Sequence, residues 1–436
     1  MVTTAPVLFA PLTLPNGQVI PNRIAKAAME ESLADRNQLP GEALRRLYAR
    51  WAEGGAGLII SGNVMVDPTA LTGPGGVVLD EHQPLAPFVA WAQAAHSGVG
   101  QAWLQINHPG RQVPSDLGQP TVAPSAVALE MGGFSKMFAT PRALGPEEIE
   151  TIIARFTTTA ALAEKAGFDG VEVHAAHGYL LSQFLSPLTN FRTDQWGGSL
   201  ENRARLLLEV VRAIRARVKP SFCIGVKLNS ADFQKGGFEP ADAAAVVSWL
   251  GDLGVDLVEL SGGSYERPAM QGSEKPASTK RREAYFIDFA REIGAVAPMP
   301  IMVTGGISDL ETACRALASE NGRAGVAMVG IATAMAYVPD LPLHWREGRS
   351  SAVALPALAW KNRLLASFAG MAMTGGQLAR LASGRKPRRR PSAVLALLCG
   401  TIKSKPQTRR YRAWITARGV PESQFTDAQQ DLRSPR

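Results

Sequence analysis

Eight short apolar runs recur along the chain, each followed by a longer segment of helical periodicity, and few folds accept that rhythm. The runs are RIAKAAM from Arg23, GLIISG from Gly57, QAWLQIN from Gln101, GVEVHAA from Gly170, CIGVKLN from Cys223, DLVELSG from Asp256, PIMVTGG from Pro300 and GVAMVGIA from Gly325. Between them lie stretches such as GEALRRLYARWAEGG and SLENRARLLLEVVRAIRARV, several opened by Ser, Asp or Pro and closed by Gly. Eight such units over roughly 300 residues fit an α/β fold of (β/α)8 type, the TIM barrel, better than an open doubly wound sheet.

A barrel of this kind gathers its chemistry at the C-terminal ends of its strands. The sequence meets that demand. Met29 and Glu30 follow the first run, Gly62 and Asn63 the second, Gln105 and His108 the third, and His174, His177 and Tyr179 the fourth. Lys227 stands late in the fifth, Ser261 and Gly263 close the sixth, Gly305 and Gly306 the seventh, and Gly330 lies near the end of the eighth. Glycines let a ligand approach the backbone, and the loops after strands seven and eight are the usual phosphate cradle of such barrels, so GGISDLETA points to a phosphorylated ligand.

Lys227 sits among apolar neighbours, where an unpaired ammonium is costly. It pairs with a ligand's negative charge, forms a Schiff base, or makes a salt bridge to Glu259 or Glu172. His174 and His177, three residues apart, can converge on one oxygen and polarise a carbonyl. Zinc would need a third ligand; only His108 offers itself, and no HExxH motif occurs, so no metal is expected. Tyr179 adds a phenolic proton suited to a general acid.

Composition narrows the class. A charged fraction of 19% and a hydrophobic fraction of 46% fit a folded globular protein. Cys223, Cys314 and Cys399 are too scattered for a disulfide framework or a cysteine-ligated cluster. MVTTAPVLFAPL lacks a basic stretch and carries Pro6 and Pro11 where a secretory signal needs an unbroken apolar helix. No apolar run approaches the ~20 residues of a transmembrane segment, so a cytoplasmic location is expected. The net charge of +8 is concentrated at one end: Gly376 to Arg436 holds 14 Lys or Arg against 3 Asp or Glu. With no nucleic-acid motif beside it, this run is expected to be a solvated tail or a contact to another subunit or an anionic surface, not a nucleic-acid site.

HAAHGYLLSQFLSPLTNFRTDQWGGSLENR from His174, PLTLPNGQVIPNRI from Pro11, LQINHPGRQ from Leu104 and VTGGI from Val303 together resemble the Old Yellow Enzyme family of FMN-dependent oxidoreductases. The match is to the bacterial NADH:flavin oxidoreductase branch with a His-His substrate pair, and runs in order from near Leu8 to near Leu343. The resemblance implies non-covalent FMN, its phosphate at Gly305, Gly306 and Gly330. Gln105 would bond the pyrimidine edge, while Ala27, Ala28 and Met29, Gly62 and Asn63, and Gly263 would line the ring. Lys227, where relatives usually carry Arg, would offset the charge of the reduced flavin. His174 and His177 would bind the oxygen of an α,β-unsaturated carbonyl, nitro compound or quinone, Tyr179 would protonate the α-carbon, and Phe134 and Tyr265 would line the mouth. NADH or NADPH would be a transient hydride donor in a ping-pong cycle, since GGAGLIISG leaves a helix and enters a strand, the reverse of a dinucleotide fingerprint.

Two departures stand out. Glu30 follows Met29 where relatives carry Cys or Thr against the flavin, and a carboxylate there would lower the reduction potential. Ile331 stands where the family reads Gly-Arg, so one phosphate-side arginine is missing and Lys26 or a main-chain contact would have to replace it.

More than 30 residues, Pro109 to Pro146, separate the third run from its helix, and a loop that long is functional or disordered. Met131, Phe134, Met137 and Phe138 either line the mouth or form a small apolar cap. GGSYERPAMQGSEKPASTKRRE, after the sixth run, is a second lid candidate. Beyond a barrel assigned to residues 1–350, VALPALAWKNRLLASFAGMAM reads as a helix packing on it, followed by GRKPRRRP and a basic helical segment ending near Gly419. Residues 351–436 are thus expected to form a helical extension with a basic, partly flexible tail. The reading is an FMN-dependent NAD(P)H oxidoreductase of ene-reductase type acting on a small-molecule electron acceptor, with homo-oligomerisation open. A Schiff-base lyase using Lys227 and a flavin-binding protein with little turnover are the alternatives.

Overall fold

The computed structural model describes residues 5–266, 287–320, 322–349 and 351–419. Eight parallel strands form the barrel: β1 (Ile24–Lys26), β2 (Leu58–Ile60), β3 (Gln101–Asn107), β4 (Gly170–Ala175), β5 (Cys223–Asn229), β6 (Leu257–Ser261), β7 (Ile301–Thr304) and β8 (Met328–Ile331). Their order is β4-β5-β6-β7-β8-β1-β2-β3, and β3 pairs back onto β4 to close the ring. These are the eight apolar runs, so the (β/α)8 expectation holds.

Alternation along each strand divides the packing. Val171, Val173 and Ala175 of β4 join the large core shared with the helices, while Glu172 and His174 are buried on the opposite, lumen face. Leu58, Ile60, Trp103, Leu257, Met302 and Met328 form a separate apolar cluster low in the lumen. An N-terminal hairpin, Leu12–Thr13 paired with Val19–Ile20, plugs it with Leu12, Leu14 and Ile20. Its Asn16 reaches Cys223 Sγ at 3.3 Å, which fixes the plug at the N-terminal ends of the strands.

The helices start and stop where local chemistry dictates. Among them α1 (Glu42–Ala52) follows β1 and α2 (Ala86–Ala95) follows β2, and α3 (Pro146–Ala166) has Pro in its first turn, Glu147 and Glu148 beside it, and a left-handed Gly167 (φ +91°) after its end. The Ser199 side chain caps α4 (Leu200–Arg217) by accepting from Asn202 N–H at 3.4 Å. After α5 (Pro240–Gly251), Asp309 caps α6 (Leu310–Leu317) through Thr312 N–H at 2.8 Å.

The long stretch between β3 and α3 is not structureless. It holds short 3-10 turns and a parallel pairing of Val122–Ala123 with Arg142–Ala143. Of the loop after β6, residues 267–286 lie outside the described residues, as does the tail from 420.

The helix expected from Val353 begins only at Arg363, a correction with a local cause. Pro356 disfavours helical geometry just before it, and Asn362 supplies the cap, accepting from Leu365 N–H at 2.9 Å. The resulting α7 (Arg363–Ala382) packs on α1, and α8 (Ala393–Ala417) packs along α7. Gln377 closes the turn between them through Arg388 N–H and C=O at 2.8 and 2.7 Å. The second half of α8 buries Tyr411 and Ile415 against Leu71, Val113 and Leu117. Tyr411 OH donates to Pro68 O at 2.9 Å and Arg418 pairs with Asp80 at 2.5 Å. These partners follow β2 and β3, so α8 is seated on the side where those strands end.

Candidate active site

At the end of β4 the chain makes a left-handed turn at His177 (φ +60°), an uncommon conformation for a residue with a Cβ. Two amides hold it there: His177 N–H donates to Asn229 Oδ1 at 3.1 Å, and Gln112 Nε2 donates to His177 O at 3.2 Å. The turn brings the His174 and His177 rings to 5.1 Å, nearly perpendicular, and His174 to 4.8 Å from the Tyr179 ring. Ala176 N–H donates to His174 Nδ1 at 3.2 Å, which makes Nδ1 an acceptor and leaves the proton on Nε2. His177 Nε2 lies 2.9 Å from Ser261 Oγ, and Tyr179 OH lies 3.1 Å from Tyr265 OH.

The electrostatics suit neutral donors. Burial, reinforced by His177 and by the charge of Lys227, drives His174 well below the usual imidazole range, and burial together with Lys227 does the same to His177. Both rings are therefore uncharged at neutral pH. Burial, then Tyr265 and the charge of Glu30, push Tyr179 well above the usual phenol range, so it keeps its proton.

Beneath this rim lies a polar tier. Lys227 Nζ meets Glu259 Oε1 at 2.5 Å, and Gln105 Nε2 donates to Glu172 Oε2 at 2.6 Å. Burial and the neighbouring Glu259 raise Glu172 well above the carboxylate range. Burial opposes ionisation of Glu259 too, but the Lys227 ammonium and the polar groups of Glu172 and Thr304 beside it outweigh burial and hold Glu259 low. One proton therefore resides on Glu172, facing an ionised Glu259. Of the roles open to Lys227 in the sequence, the structure shows the salt bridge, and a Schiff base would have to break it.

The residues at the strand ends fit a flavin ring. Asn63 Oδ1 and both polar side-chain atoms of Asn107 are buried without a hydrogen-bond partner, and such atoms are costly unless a ligand meets them. Strands β1, β7 and β8 close in at Gly330, where a Cβ would lie 1.9 Å from Thr304 Oγ1 and 3.3 Å from Ala27 Cβ. Gly305 and Gly306 take φ of +135° and +73°, which only glycine adopts readily, and with no side chain of their own they leave main chain that could receive an anion. Ile331, where the resemblance would put an arginine, is fully buried in the outer core, its C=O accepting from Ala27 N–H at 3.0 Å.

Lys26 is not the substitute considered for that arginine. It is fully buried on the outer side of β1, donating to Ile60 O at 2.7 Å, 3.7 Å from Glu31 and over the Trp51 ring at 4.3 Å. Burial pulls its ammonium down to about 8 although Glu31 opposes this. Glu31 in turn takes hydrogen bonds from Tyr48 OH and from Gly62 N–H, the latter at 3.2 Å, so a buried charge network braces the loops carrying Met29 and Asn63. Glu30 turns the other way, into the mouth, where its exposed carboxylate accepts from Thr72 Oγ1 at 2.6 Å.

The structure thus gathers His174, His177, Tyr179, Tyr265, Gln105 and Lys227 at one end of the barrel, with Gly263 tied in through its C=O to Asn229 Nδ2 at 3.2 Å. The ring of Phe134 packs on Phe368 of α7 at 5.0 Å, and the loop aromatic that meets Tyr265 is Phe138, at 6.2 Å. Asn229, Asn107, Glu31 and Tyr48 were not anticipated. Asn229 stands two residues after Lys227, and strand periodicity puts it on the same face. A surface hollow of about 450 Å³ between Pro124 and Phe191 holds none of these groups; another of about 220 Å³ flanks the rim beside Gly178, Asp232 and Ser264.

The model of the NADH:flavin oxidoreductase / NADH oxidase family matches residues 7–351, nearly the whole barrel and its turn into the extension. The chain belongs to that family. Its flavin oxidoreductase relatives include NADH-dependent flavin oxidoreductase iliE of Neonectria sp. (strain DH2), 39% identical over 356 residues that cover 76% of this chain and 46% of that protein. The iliE protein of Hypocrea jecorina (strain QM6a) is 38% identical over 356 residues, covering 76% and 87%. The chain therefore spans about half of one relative and most of the other. Among solved structures, the old yellow enzyme homologue from Zymomonas mobilis superposes with a TM-score of 0.67 at 27% identity, covering 82% of this flavin oxidoreductase and 98% of that chain. FMN, held non-covalently, is the cofactor of this family, and NAD(P)H its hydride donor.

Proposed function

We propose that the protein reduces activated alkenes, chiefly α,β-unsaturated carbonyls, with NADH or NADPH in a ping-pong cycle. The observation that carries this reading is the pair of neutral imidazoles beside a buried, protonated tyrosine above the polar tier. Bound FMN supplies the two-electron relay from NAD(P)H to the acceptor. His174 presents its Nε2–H to the acceptor oxygen, and His177, its Nε2 engaged by Ser261, presents Nδ1 to the same oxygen. Two donors on one oxygen stabilise the enolate charge that develops there, a contribution of about 3 kcal/mol per donor where water is excluded. Tyr179 then gives its proton to the α-carbon and regains one through Tyr265. Gln105 and Lys227 would hold the pyrimidine side of the ring, and the main chain of Gly305, Gly306 and Gly330 would hold the phosphate.

The lyase alternative fits poorly with a lysine already paired to Glu259. No described helix is long and apolar enough to cross a membrane, and we place the activity on the cytoplasmic side. The test is spectroscopic: the purified protein should carry or take up FMN, bleach anaerobically with NADH or NADPH, and recover its colour with a cyclic enone. A folded preparation that stays colourless with added FMN would sink the proposal.

A further inference from the structure

We propose that the segment from Arg385 to Arg410 docks on an anionic lipid bilayer, lying in the interface without crossing it. Gly348 to Pro421 contains no Asp or Glu. Within that stretch the first turns of α8 expose Val394, Leu395, Leu398 and Ile402 at 58, 55, 55 and 71% of their surface. At about 100° per residue these four side chains fall on one face of the helix. Contiguous exposed apolar side chains of this kind mark a surface that meets something. Arg388 to Arg390, all exposed, come just before the stripe, and the exposed Lys403, Lys405 and Arg409 come just after it.

Charge decides among occupants. A second copy would bring the same cations to the contact, like against like. A nucleic acid would meet the cations but leave Leu398 and Ile402 in water. An anionic bilayer satisfies both, taking the leucines into its acyl boundary and the guanidinium and ammonium groups among its phosphates. The surface is also rigidly tied to the barrel: Arg412 donates to Asp116 O at 2.7 Å, and Gln407 Nε2 to Ser32 O at 3.3 Å. Because Ser32 is two residues from Glu30, docking would hold the mouth of the barrel near the lipid surface. The inference does not depend on the flavin reading.

Flotation of the full chain with phosphatidylcholine vesicles, with and without phosphatidylglycerol, tests it. The bound fraction should be at least about tenfold higher on the anionic vesicles, and fall several-fold when salt shortens the Debye length from about 10 Å to about 3 Å. A Leu398→Glu, Ile402→Glu variant with an unchanged melting temperature should lose most of that binding. Replacing Arg388, Arg389 and Arg390 by Gln should weaken it on anionic vesicles alone. A parent chain that stays unbound on anionic vesicles, or a double variant that floats as well as the parent, overturns the proposal. So does a concentration-dependent dimer abolished by the double variant while vesicle binding is absent, which would assign the face to a second copy.

Discussion

The lower and upper tiers of the barrel lumen are built by the same strands only a few residues apart, and they are equally buried, yet their chemistry is opposite. Trp103, Leu257, Met302 and Met328 below are at most 1% exposed; Gln105, Glu172, His174, Lys227 and Glu259 above are at most 3% exposed. The lower tier stabilises the fold by removing apolar surface from water, on the order of 25 cal/mol per Å². The upper tier does not, because taking two charges out of water costs about as much as their attraction returns. A buried Lys227–Glu259 pair is thus weak as a stabilising device. What it provides is a fixed cation, next to the protonated Glu172, at the end of the barrel where the histidines stand.

The sharpest way to break the comparison is to remove one member of the pair. Lys227→Met leaves Glu259 as a buried charge without a counterion, and should cost about 3–5 kcal/mol in denaturant unfolding as well as flavin affinity. Adding Glu259→Leu should restore most of the stability but not the flavin chemistry. In the lower tier, Trp103→Ala should cost a similar ~3–5 kcal/mol through a cavity. The molecules that remain folded should still bind FMN and turn over, measured per flavin. If Trp103→Ala instead abolished turnover in folded protein, the two tiers would not be separable in this way.

Smaller effects sharpen the picture. Tyr179→Phe should slow reoxidation of the reduced protein by an enone about 10²–10⁴-fold in stopped flow, while reduction by NAD(P)H is unaffected. The buried imidazoles give the fold a pH dependence of known sign. His108 is pushed down to about 3 by burial, and His174 and His177 also lie low. With folded values below the unfolded ones, their contribution is complete above about pH 6.5 and is lost as pH falls below it. Glu172, raised by burial, acts in the opposite sense. Melting midpoints at pH 7 and pH 5, with His108→Gln flattening the decline, would check the assignment. Glu30→Gln removes a negative charge from the mouth and should raise the flavin potential by the equivalent of about 1 kcal/mol, read by dye equilibration.

Much of this was legible in the sequence because it is periodic or local. Alternating apolar runs announced all eight strands, and the spacing of His174, His177 and Tyr179 put them at one strand end. Long-range pairing left no such mark. That Glu31, and not Lys26's other neighbours, would fold under Gly62 of the next unit depends on Tyr48 of α1 reaching back to both. Phe134 and Phe138 are indistinguishable as letters, and only the seating of α7 beside the loop assigns one to Phe368 and the other to Tyr265. The docking of α8 rests on Tyr411 and Ile415 meeting residues more than 290 positions earlier, a match no local pattern records.

The account turns on two neutral imidazoles holding the acceptor's oxygen above the flavin, and separate half-reactions of a His174→Ala, His177→Ala variant test it most directly. Reduction by NADH or NADPH should proceed at the parent's rate within a small factor, while reoxidation by a cyclic enone slows by at least about 10²-fold and phenol binding is lost. A variant that binds phenols and reoxidises with enone as fast as the parent would contradict it.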